Sequence, residues 1–535
     1  MLISQLLLFS LAELQQLVYG IQVPFLTPAT SNNSTGNAPW DLAAHPDANA
    51  TSQLIFEAVN SLQQHWPHTR YRNSHSIVPG TAPVGTLLYH GRAESELPDA
   101  PDWTATDPEH AFPFAGDSAT EGNNSTLTGC WLTLVATQPL KVLYFDGSSA
   151  SKIPGEDTVD TQDLLIWGKV DPARWLDEAE RLDDLCAWGT EFGLDGFLRM
   201  QMGFEIMLCD FSRGVEVVSA DYLTALHPFN VPGNPQRPLF VMLKFEIIHA
   251  GSWHNLHPGD TRVKLDLAGF VSFYDTSTAP SPVPTRHGRE RWGHRAAGIS
   301  ALDLKAVQAR VREALTREPD NTLFRAIVDR YGDRLETLAY LLTTTIPPNV
   351  HERARIIQAQ LRIMLTPYIL YTARPSLSPA DLNNSWAWAL PVWKSCGTKH
   401  TAYIHASRAL YARMTASERL LLRALDDTNH EICRVVVKMW VAGVHAGLDP
   451  FLPLEALSGH PRQDPLVVIQ RWQTDNTALI SWLDWAVWVK CQPACGVEQM
   501  CYLPTWPFFY NGPDDHRWER PQPRCIRRFE PYSQF

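Results

Sequence analysis

The chain has 535 residues, with 57 acidic against 45 basic side chains and a formal net charge of −12. An acidic chain gains nothing from the attraction to phosphates that drives nucleic-acid binding, which excludes nucleic acid as a partner. The apolar fraction of 44% is that of a globular protein with a large buried core, and no stretch is apolar for long enough to predict a transmembrane segment.

The first twenty residues have the composition of a secretory signal peptide. Residues 2–12 are nearly all apolar, and residues 18–20 fit the small or β-branched positions before a signal-peptidase cut. No Lys or Arg precedes the apolar run and Glu13 interrupts its end, so a buried amphipathic helix is the alternative. We predict a signal peptide over residues 1–20 and a secreted, extracellular protein after cleavage.

Sequons for N-glycosylation cluster near the N-terminus. Six asparagines begin the motif Asn-X-Ser/Thr, and five of the six precede residue 125 in Ser-, Thr- and Gly-rich stretches typical of exposed loops. The pattern predicts a glycosylated arm over residues 21–50. Where two sequons are adjacent, as at Asn32 and Asn33 and at Asn123 and Asn124, we expect one glycan for the pair. The candidate sites are Asn32, Asn33, Asn49, Asn123, Asn124 and Asn383.

The hydrophobic pattern divides the remaining chain into three regions. Short apolar runs between turn residues, some with period-two alternation, predict a β-rich mixed region over residues 51–280 with helical inserts. A Pro-containing stretch over 281–299 predicts a linker. Capping boxes at Ser300 and Thr415 and helical spacing of apolar residues predict a helical region over 300–485. The expected fold class is therefore α+β: a β-rich N-terminal region, a mainly α-helical region and a short disulfide-stapled C-terminal tail.

The nine cysteines of the chain support the predicted extracellular location, because disulfides form in oxidising compartments. Four of them lie in the tail over residues 486–535, which is too irregular to build its own core. Two disulfides among these four are expected, and three pairings are possible. The spacing of these cysteines does not match paired Cys-X-X-Cys zinc sites, and we assign no metal site. The odd total leaves one thiol, and Cys433, on an apolar helix face, is expected to be that thiol. The tail cysteines are Cys491, Cys495, Cys501 and Cys525.

One predicted strand ends in a Tyr-His-Gly sequence that contains His90, and a Thr-Asp-Pro segment follows it. Residues 85–111 resemble the opening of ADP-ribosyltransferase domains of the His-Tyr-Glu type. The resemblance implies that His90 holds the ribose of NAD and that a glutamate on a later strand, Glu205 or Glu216, contacts the reacting ribose. The tyrosine of that family is not found, and Thr106 stands nearby instead. A hydrogen bond in a strand-end turn is the alternative role for His90.

A second candidate is Asp146, which follows the apolar run of residues 142–145 and precedes a Gly-Ser-Ser sequence. A carboxylate just past a buried strand is a common position for a catalytic group, and Asp163 could act with it in acid–base chemistry or as a cation ligand. A plain Asp-Gly turn is the alternative. We predict a site built from His90 and Asp146 with Asp163 or Glu205 as a partner.

Several segments together resemble a group of large secreted fungal proteins of unassigned activity, which implies location and architecture without a reaction or a cofactor. Two functions stay open. One is an extracellular enzyme, a hydrolase of glycans or esters or a glycosyl or ADP-ribosyl transferase, with its site in the β-rich region. The other is a non-catalytic wall- or host-interaction glycoprotein whose Trp side chains stack on sugars. An extracellular glycan or a small molecule is the expected partner. The segments are residues 76–81, 85–92, 142–149, 161–165 and 491–501.

Overall fold

In the computed structural model the chain forms two units, residues 1–46 and 47–535. The predicted signal peptide and five of the six predicted glycosylation sites, all except Asn49, lie outside the described residues. No helix in the described part combines the length and the apolar character that crossing a bilayer requires. The described residues are 40–62, 64, 70–92, 95–111, 114–115, 128–149, 152–153, 156–201, 203–224, 262–283, 290–316, 325–369, 386–449, 451, 464–504 and 521–528.

A mixed sheet dominates the N-terminal half, so the predicted β-rich region is confirmed. Among the described residues ten strands join in the order β10-β4-β2-β3-β9-β8-β5-β1-β11, with β12 also pairing to β1, while β6 and β7 form a separate hairpin. The strands are β1 (Ser76–Ala82), β2 (Leu87–Arg92), β3 (Asp102–Ala105), β4 (Thr128–Ala136), β5 (Leu140–Phe145), β6 (Lys152–Ile153), β7 (Glu156–Asp157), β8 (Gly196–Met200), β9 (Phe204–Leu208), β10 (Val215–Thr224), β11 (Lys264–Leu265) and β12 (Val271–Ser272).

One pair of strands in this sheet, β5 and β8, is parallel, and the other pairings are antiparallel. Parallel neighbours need a long connection, and here it contains two helices whose apolar side chains cover one face of the sheet. Leu164, Leu182 and Leu185 from these helices pack with Phe145 and Phe197 of the sheet. The helices that the structure describes in this half are α1 (Ser52–Ser61), α2 (Pro108–Ala111), α3 (Asp160–Ile166) and α4 (Glu178–Gly189).

The C-terminal half is mostly helical, as predicted. Its centre is the longest helix, α11, which begins at a capping box formed by Thr415 and Glu418 and packs against α1, α7, α8 and α12. Large indoles fill this core, and Trp393, Trp440 and Trp472 are fully buried. The helices are α5 (Ala301–Leu315), α6 (Arg325–Thr343), α7 (Val350–Leu365), α8 (Leu390–Thr398), α9 (Ala402–Ala406), α10 (Arg408–Arg413), α11 (Ala416–His445) and α12 (Pro465–Leu483).

Two disulfides staple the tail as predicted, where β13 (Gln499–Tyr502) and β14 (Arg524–Arg527) form a hairpin. The expectation that Cys433 is the unpaired thiol is wrong. Because α8 packs on α11, the Cα atoms of Cys396 and Cys433 lie 5.8 Å apart and their sulfurs are bonded, and the free buried thiol is Cys130 on β4. The disulfides are Cys186–Cys209, Cys396–Cys433, Cys491–Cys501 and Cys495–Cys525.

Candidate functional site

A cavity of about 530 Å³ lies beside the neighbouring strands β2, β3 and β9. Small-molecule sites in proteins typically measure roughly 300–1,000 Å³. Its wall also includes residues of α2 and β8 and the first residue of α4. The chemically distinctive residues in the wall are His90, Asp102, Trp103, His110, Arg199 and Glu205.

His90 on β2 lines this cavity, and one of its ring nitrogens has no hydrogen-bond partner among the described residues. Its Nδ1 atom lies 2.7 Å from the carbonyl oxygen of Trp103, so Nδ1 carries the proton and donates it to that carbonyl. The other nitrogen, Nε2, is buried and has no hydrogen-bond partner among the described residues. A carboxylate oxygen of Asp102 lies 3.6 Å from Nε2. The local fold therefore fixes the tautomer in which Nε2 carries the lone pair.

Burial sets the charge state of this imidazole. His90 is only 5% exposed, and loss of solvent lowers its pKa below the ordinary 6.5, while the nearby Asp102 carboxylate raises it in part. The neutral form therefore dominates at neutral pH. A neutral imidazole with a free Nε2 accepts a proton, and Asp102 stabilises the imidazolium that results.

The glycine after His90 allows another element to close the cavity. A Cβ atom at Gly91 would lie 2.4 Å from the backbone nitrogen of Ala115 and 2.5 Å from the carbonyl oxygen of Ala111. The backbone of Ala111 and Ala115 thus lies directly against β2, and no residue larger than glycine fits there. This close packing carries His110 of α2 into the cavity wall.

His110 is a second buried histidine, and the sequence did not indicate its role. Its Nε2 atom lies 3.0 Å from the side-chain oxygen of Gln201 and 4.0 Å from a carboxylate oxygen of Glu205. Because the amide oxygen of Gln201 only accepts, Nε2 donates and Nδ1 keeps its lone pair. That Nδ1 is buried without a partner among the described residues. The one available sequence signal was the Pro-Glu-His start of α2, which does not show what α2 packs against.

A buried network of alternating charges leads from the cavity to the crossover helices. Arg199 and Glu205 oppose each other across the β8–β9 pair, and Arg199 Nε donates to Glu205 at 2.6 Å. Arg199 Nη1 then donates to Glu178 at 2.7 Å. Arg181 donates to the other oxygen of Glu178 at 2.9 Å and to Asp163 at 2.7 Å. Each of these side chains is at most 8% exposed.

This network has three carboxylates and two guanidinium groups. Breaking one buried pair leaves an uncompensated charge, which makes every member necessary for the position of the next. The network joins the first turn of α4 to β8 and β9 and holds the Glu205 carboxylate beside His110.

The structure brings two of the four predicted catalytic residues to one cavity. His90 and Glu205 both line it, although the carboxylate next to His90 is Asp102 and not Glu205. Asp163 does not line the cavity, and it is linked to Glu205 through the buried network.

Asp146 lies elsewhere, which corrects the hypothesis that it forms a site with His90. One carboxylate oxygen of Asp146 accepts hydrogen bonds from the backbone N–H groups of His75 and Ser76 and from the hydroxyl of Ser74. Burial raises its pKa, and these hydrogen bonds lower it. Asp146 thus anchors the start of β1 beside the end of β5, as the turn alternative implied. An Asp-Gly sequence after a strand does not reveal which backbone amides lie beside it.

Aromatic and apolar side chains complete the cavity, including Tyr89, Trp103 and Phe114. Imidazole and carboxylate groups, which can bind metal ions, are present in the wall, but their potential ligand atoms do not lie close enough together to hold one ion. In the described part of the chain, the only group of three or more potential metal-binding atoms within 4.8 Å of one another consists of tail cysteine sulfurs. Those sulfurs are bonded in disulfides. The cavity therefore suits an organic ligand with an aromatic or apolar part.

Comparison with known proteins gives partial matches. Residues 45–131 and 119–237 match the family model described as the YPL277C N-terminal domain. Two proteins of Saccharomyces cerevisiae are each 31% identical to the chain: Uncharacterized protein YOR389W over 248 residues and Uncharacterized protein YPL277C over 209 residues. The alignments cover 38% and 31% of this chain, and they span 39% and 42% of the length of those relatives. No solved structure matches the chain.

These matches give no support to the resemblance of residues 85–111 to ADP-ribosyltransferases. They do support the predicted fungal group. Residues 45–237, which contain all the described residues of the cavity wall, are similar to a domain found in fungal proteins of unassigned function.

Proposed function

We propose that the protein is an extracellular enzyme that binds a small organic substrate in the His90 cavity and hydrolyses an ester bond in it. The observation that carries this proposal is the free Nε2 atom of His90, buried in a cavity wall with its tautomer set by the carbonyl of Trp103. Buried polar atoms normally have partners, and a titratable group in a cavity wall that lacks one is a candidate functional residue.

In the proposed reaction His90 is the general base. A water molecule gives its proton to Nε2 while its oxygen bonds to the ester carbonyl carbon, and the π electrons of the carbonyl move to the carbonyl oxygen. The C=O double bond then re-forms as the bond from that carbon to the leaving oxygen breaks, and the proton passes from Nε2 to the leaving alkoxide. Asp102, 3.6 Å from Nε2, stabilises the imidazolium between these two steps.

The imidazole and carboxylate groups in the cavity wall fit ester hydrolysis better than they fit glycoside hydrolysis. Glycosidases use two carboxylic groups on either side of the scissile bond. Here Arg199 holds one oxygen of Glu205, and the backbone N–H of Trp103 donates to one oxygen of Asp102. A neutral histidine in a largely apolar cavity is the group best suited to deprotonate water.

Several observations support the extracellular location. Four disulfides fit a protein that folds in an oxidising compartment. Asn49, the predicted glycosylation site that falls within the described residues, is exposed. The proposal therefore retains the signal peptide over residues 1–20 and the glycosylated arm.

The non-catalytic alternative requires a row of exposed Trp side chains, and none of the described tryptophans is exposed. Many of them instead fill the helical core, as Trp393, Trp440 and Trp472 do. Within the described residues, the feature that would favour a sugar-stacking surface is therefore missing.

The test is hydrolysis by the secreted full-length protein of a panel of aryl esters, aryl glycosides and NAD. The variants are His90→Gln and, as a matched control, His405→Gln, which changes an exposed histidine on α9. We expect ester hydrolysis by the wild type and by His405→Gln, and a rate lower by about 10²-fold or more in His90→Gln. Equal ester hydrolysis in all three proteins, or turnover of NAD alone, would contradict the proposal. Matching circular dichroism spectra and unfolding temperatures check that each variant is folded.

A further inference from the structure

A second cavity, of about 540 Å³, shares no lining residue with the first. It lies among the start of α1, the segment around residues 290–294 and the end of α12. Its wall contains Asn49, Gln53, Arg291, Trp292 and Asp484. Amide, guanidinium and carboxylate groups beside one indole make this wall much more polar than that of the His90 cavity.

Arg291 has a buried guanidinium group whose charge interacts with the carboxylates of Glu57 and Asp484. Its Nε and Nη1 atoms are buried and meet no acceptor among the described residues. The side chain stacks on the ring of Tyr71, 3.9 Å from the ring centroid. The carboxylate of Asp484 is engaged elsewhere, by Arg70 Nη2 at 3.0 Å and by the Tyr71 hydroxyl.

Such an arginine implies a ligand. An aromatic face and carboxylates beyond hydrogen-bond distance replace only part of the hydration that a buried guanidinium loses, and acceptors for its N–H groups normally supply the remainder. The stacking on Tyr71 also orients the planar group. Arginine held in this way binds carboxylate or phosphate oxygens through two parallel hydrogen bonds.

Gln53 supplies an unused group of the opposite kind. Its side-chain nitrogen donates to the carbonyl of Ala50, which leaves Oε1 as an acceptor, and Oε1 is buried without a donor among the described residues. Gln53 is 9% exposed. Among the described residues there is thus neither a hydrogen-bond acceptor for Nε and Nη1 of Arg291 nor a donor for Oε1 of Gln53.

Trp292 adds a flat apolar surface between these polar groups. Its ring contacts Tyr71 at 4.9 Å between centroids and lies 5.2 Å from the Arg70 guanidinium. These contacts hold the indole in place in the cavity wall. A sugar ring has one apolar face that packs on an indole, and it carries hydroxyl donors around its edge.

We propose that this second cavity binds an acidic sugar of the uronate class. The sugar carboxylate pairs with Arg291, a hydroxyl donates to Oε1 of Gln53, and the ring lies on Trp292. This proposal is independent of the hydrolysis proposed for the His90 cavity, because the two cavities have no residue in common.

The test is isothermal titration calorimetry of the secreted full-length protein with glucuronate, glucose and inorganic phosphate. We expect saturable binding of glucuronate, with affinity at least about tenfold weaker for glucose, which lacks the charge. Arg291→Met should lose at least about tenfold in glucuronate affinity. A matched variant, Arg312→Met, removes an exposed arginine on α5 and should bind like the wild type.

A further pair of measurements separates a sugar site from a simple anion site. Trp292→Ala should weaken glucuronate binding and leave phosphate binding unchanged. Three results would each overturn the assignment: no saturable glucuronate binding by the wild type, equal binding by Arg291→Met, or phosphate binding that glucuronate does not displace. His90→Gln should bind glucuronate like the wild type, which distinguishes failure here from failure of the proposed hydrolysis. Unfolding temperatures confirm that Arg291→Met is folded.

Discussion

The Nε atom of Arg199 lies 2.6 Å from an oxygen of Glu205, and both side chains are buried where β8 and β9 pair. This ion pair fixes the carboxylate at the edge of the cavity. Since Arg199 also donates to Glu178 at the start of α4, the crossover between β5 and β8 takes part in positioning the site. The shape of the cavity wall therefore depends on a charge network that continues beyond the wall to Arg181 and Asp163.

The charge network predicts a large loss of stability on removal of one member. Arg199→Met leaves the Glu205 carboxylate buried without its partner, and we expect a loss of about 3–5 kcal/mol in the free energy of unfolding. The double variant Arg199→Met/Glu205→Gln removes both charges and should lose less. Urea denaturation measures both losses.

The control for this prediction is Arg213→Met. Arg213 is 62% exposed and pairs with Asp195 at a distance of 3.5 Å, so its removal should cost less than about 1 kcal/mol. Equal losses for Arg199→Met and Arg213→Met would contradict the idea that burial makes the network essential.

Gly91 predicts a steric effect on the cavity. In Gly91→Ala the new methyl group overlaps the backbone of Ala111 and Ala115, so α2 must move, and we expect a loss of about 1–3 kcal/mol. Gly496→Ala is the matched change, because its nearest contact, with Gln499, is 3.7 Å away. Differential scanning calorimetry should show a lower unfolding temperature for Gly91→Ala alone. A wild-type temperature for that variant would mean that α2 does not press on β2.

His430 on α11 predicts how stability depends on pH. Burial, together with the positive charge of Arg434, lowers the pKa of His430 from 6.5 to about 4. Between these two pH values the unfolded chain binds a proton on this imidazole and the folded protein does not. Stability from this group is therefore full above pH 6.5 and falls by at most about 3 kcal/mol as the pH drops to 4.

Urea denaturation at pH 7 and pH 4.5 tests whether the free energy of unfolding falls as the pH drops. His430→Gln, which cannot be protonated, should lose less stability between the two pH values than the wild type does. The contribution of His405 to stability should depend on pH in the opposite direction, because its hydrogen bond to Asp426 raises its pKa. Its contribution is present at low pH and is lost as the pH rises. An unchanged pH dependence in His430→Gln would show that the imidazole is hydrated in the folded protein.

The thiol count separates Cys130 from the eight bonded cysteines. Cys130 is buried on β4, and burial raises the pKa of its thiol, so the native protein should not react with a maleimide at neutral pH. Unfolding without a reductant should expose one thiol per chain. Mass spectrometry after digestion should place the label on Cys130, and a label on Cys433 would contradict the described pairing.

Local patterns predicted the two halves of the fold because they depend on neighbours in sequence. The apolar run before Asp146 is a strand, and the Thr415–Glu418 capping box begins a helix as expected. Cys433 was assigned wrongly because its partner depends on how α8 packs on α11, which no local pattern shows.

The same distinction applies to the site. His90 was recognisable because a strand-end histidine followed by glycine is a local signal. His110 enters the cavity only through the packing of α2 on Gly91, which is a tertiary contact. Asp146 had the local signal of a catalytic carboxylate, yet its oxygens serve the backbone of β1. The sequence alone could not show that the His110 imidazole lines the cavity, nor that the Asp146 carboxylate binds backbone amides.

The most direct test of the central claim is the pH dependence of kcat/KM for ester hydrolysis by the wild type, His90→Gln and Asp102→Asn. Because burial lowers the pKa of His90 and Asp102 raises it in part, the wild type should lose activity below an apparent pKa under 6.5. Asp102→Asn should move this loss to lower pH, and His90→Gln should be about 10²-fold less active or worse. Wild-type activity in His90→Gln, or an acid limb that Asp102→Asn leaves unmoved, would contradict the account.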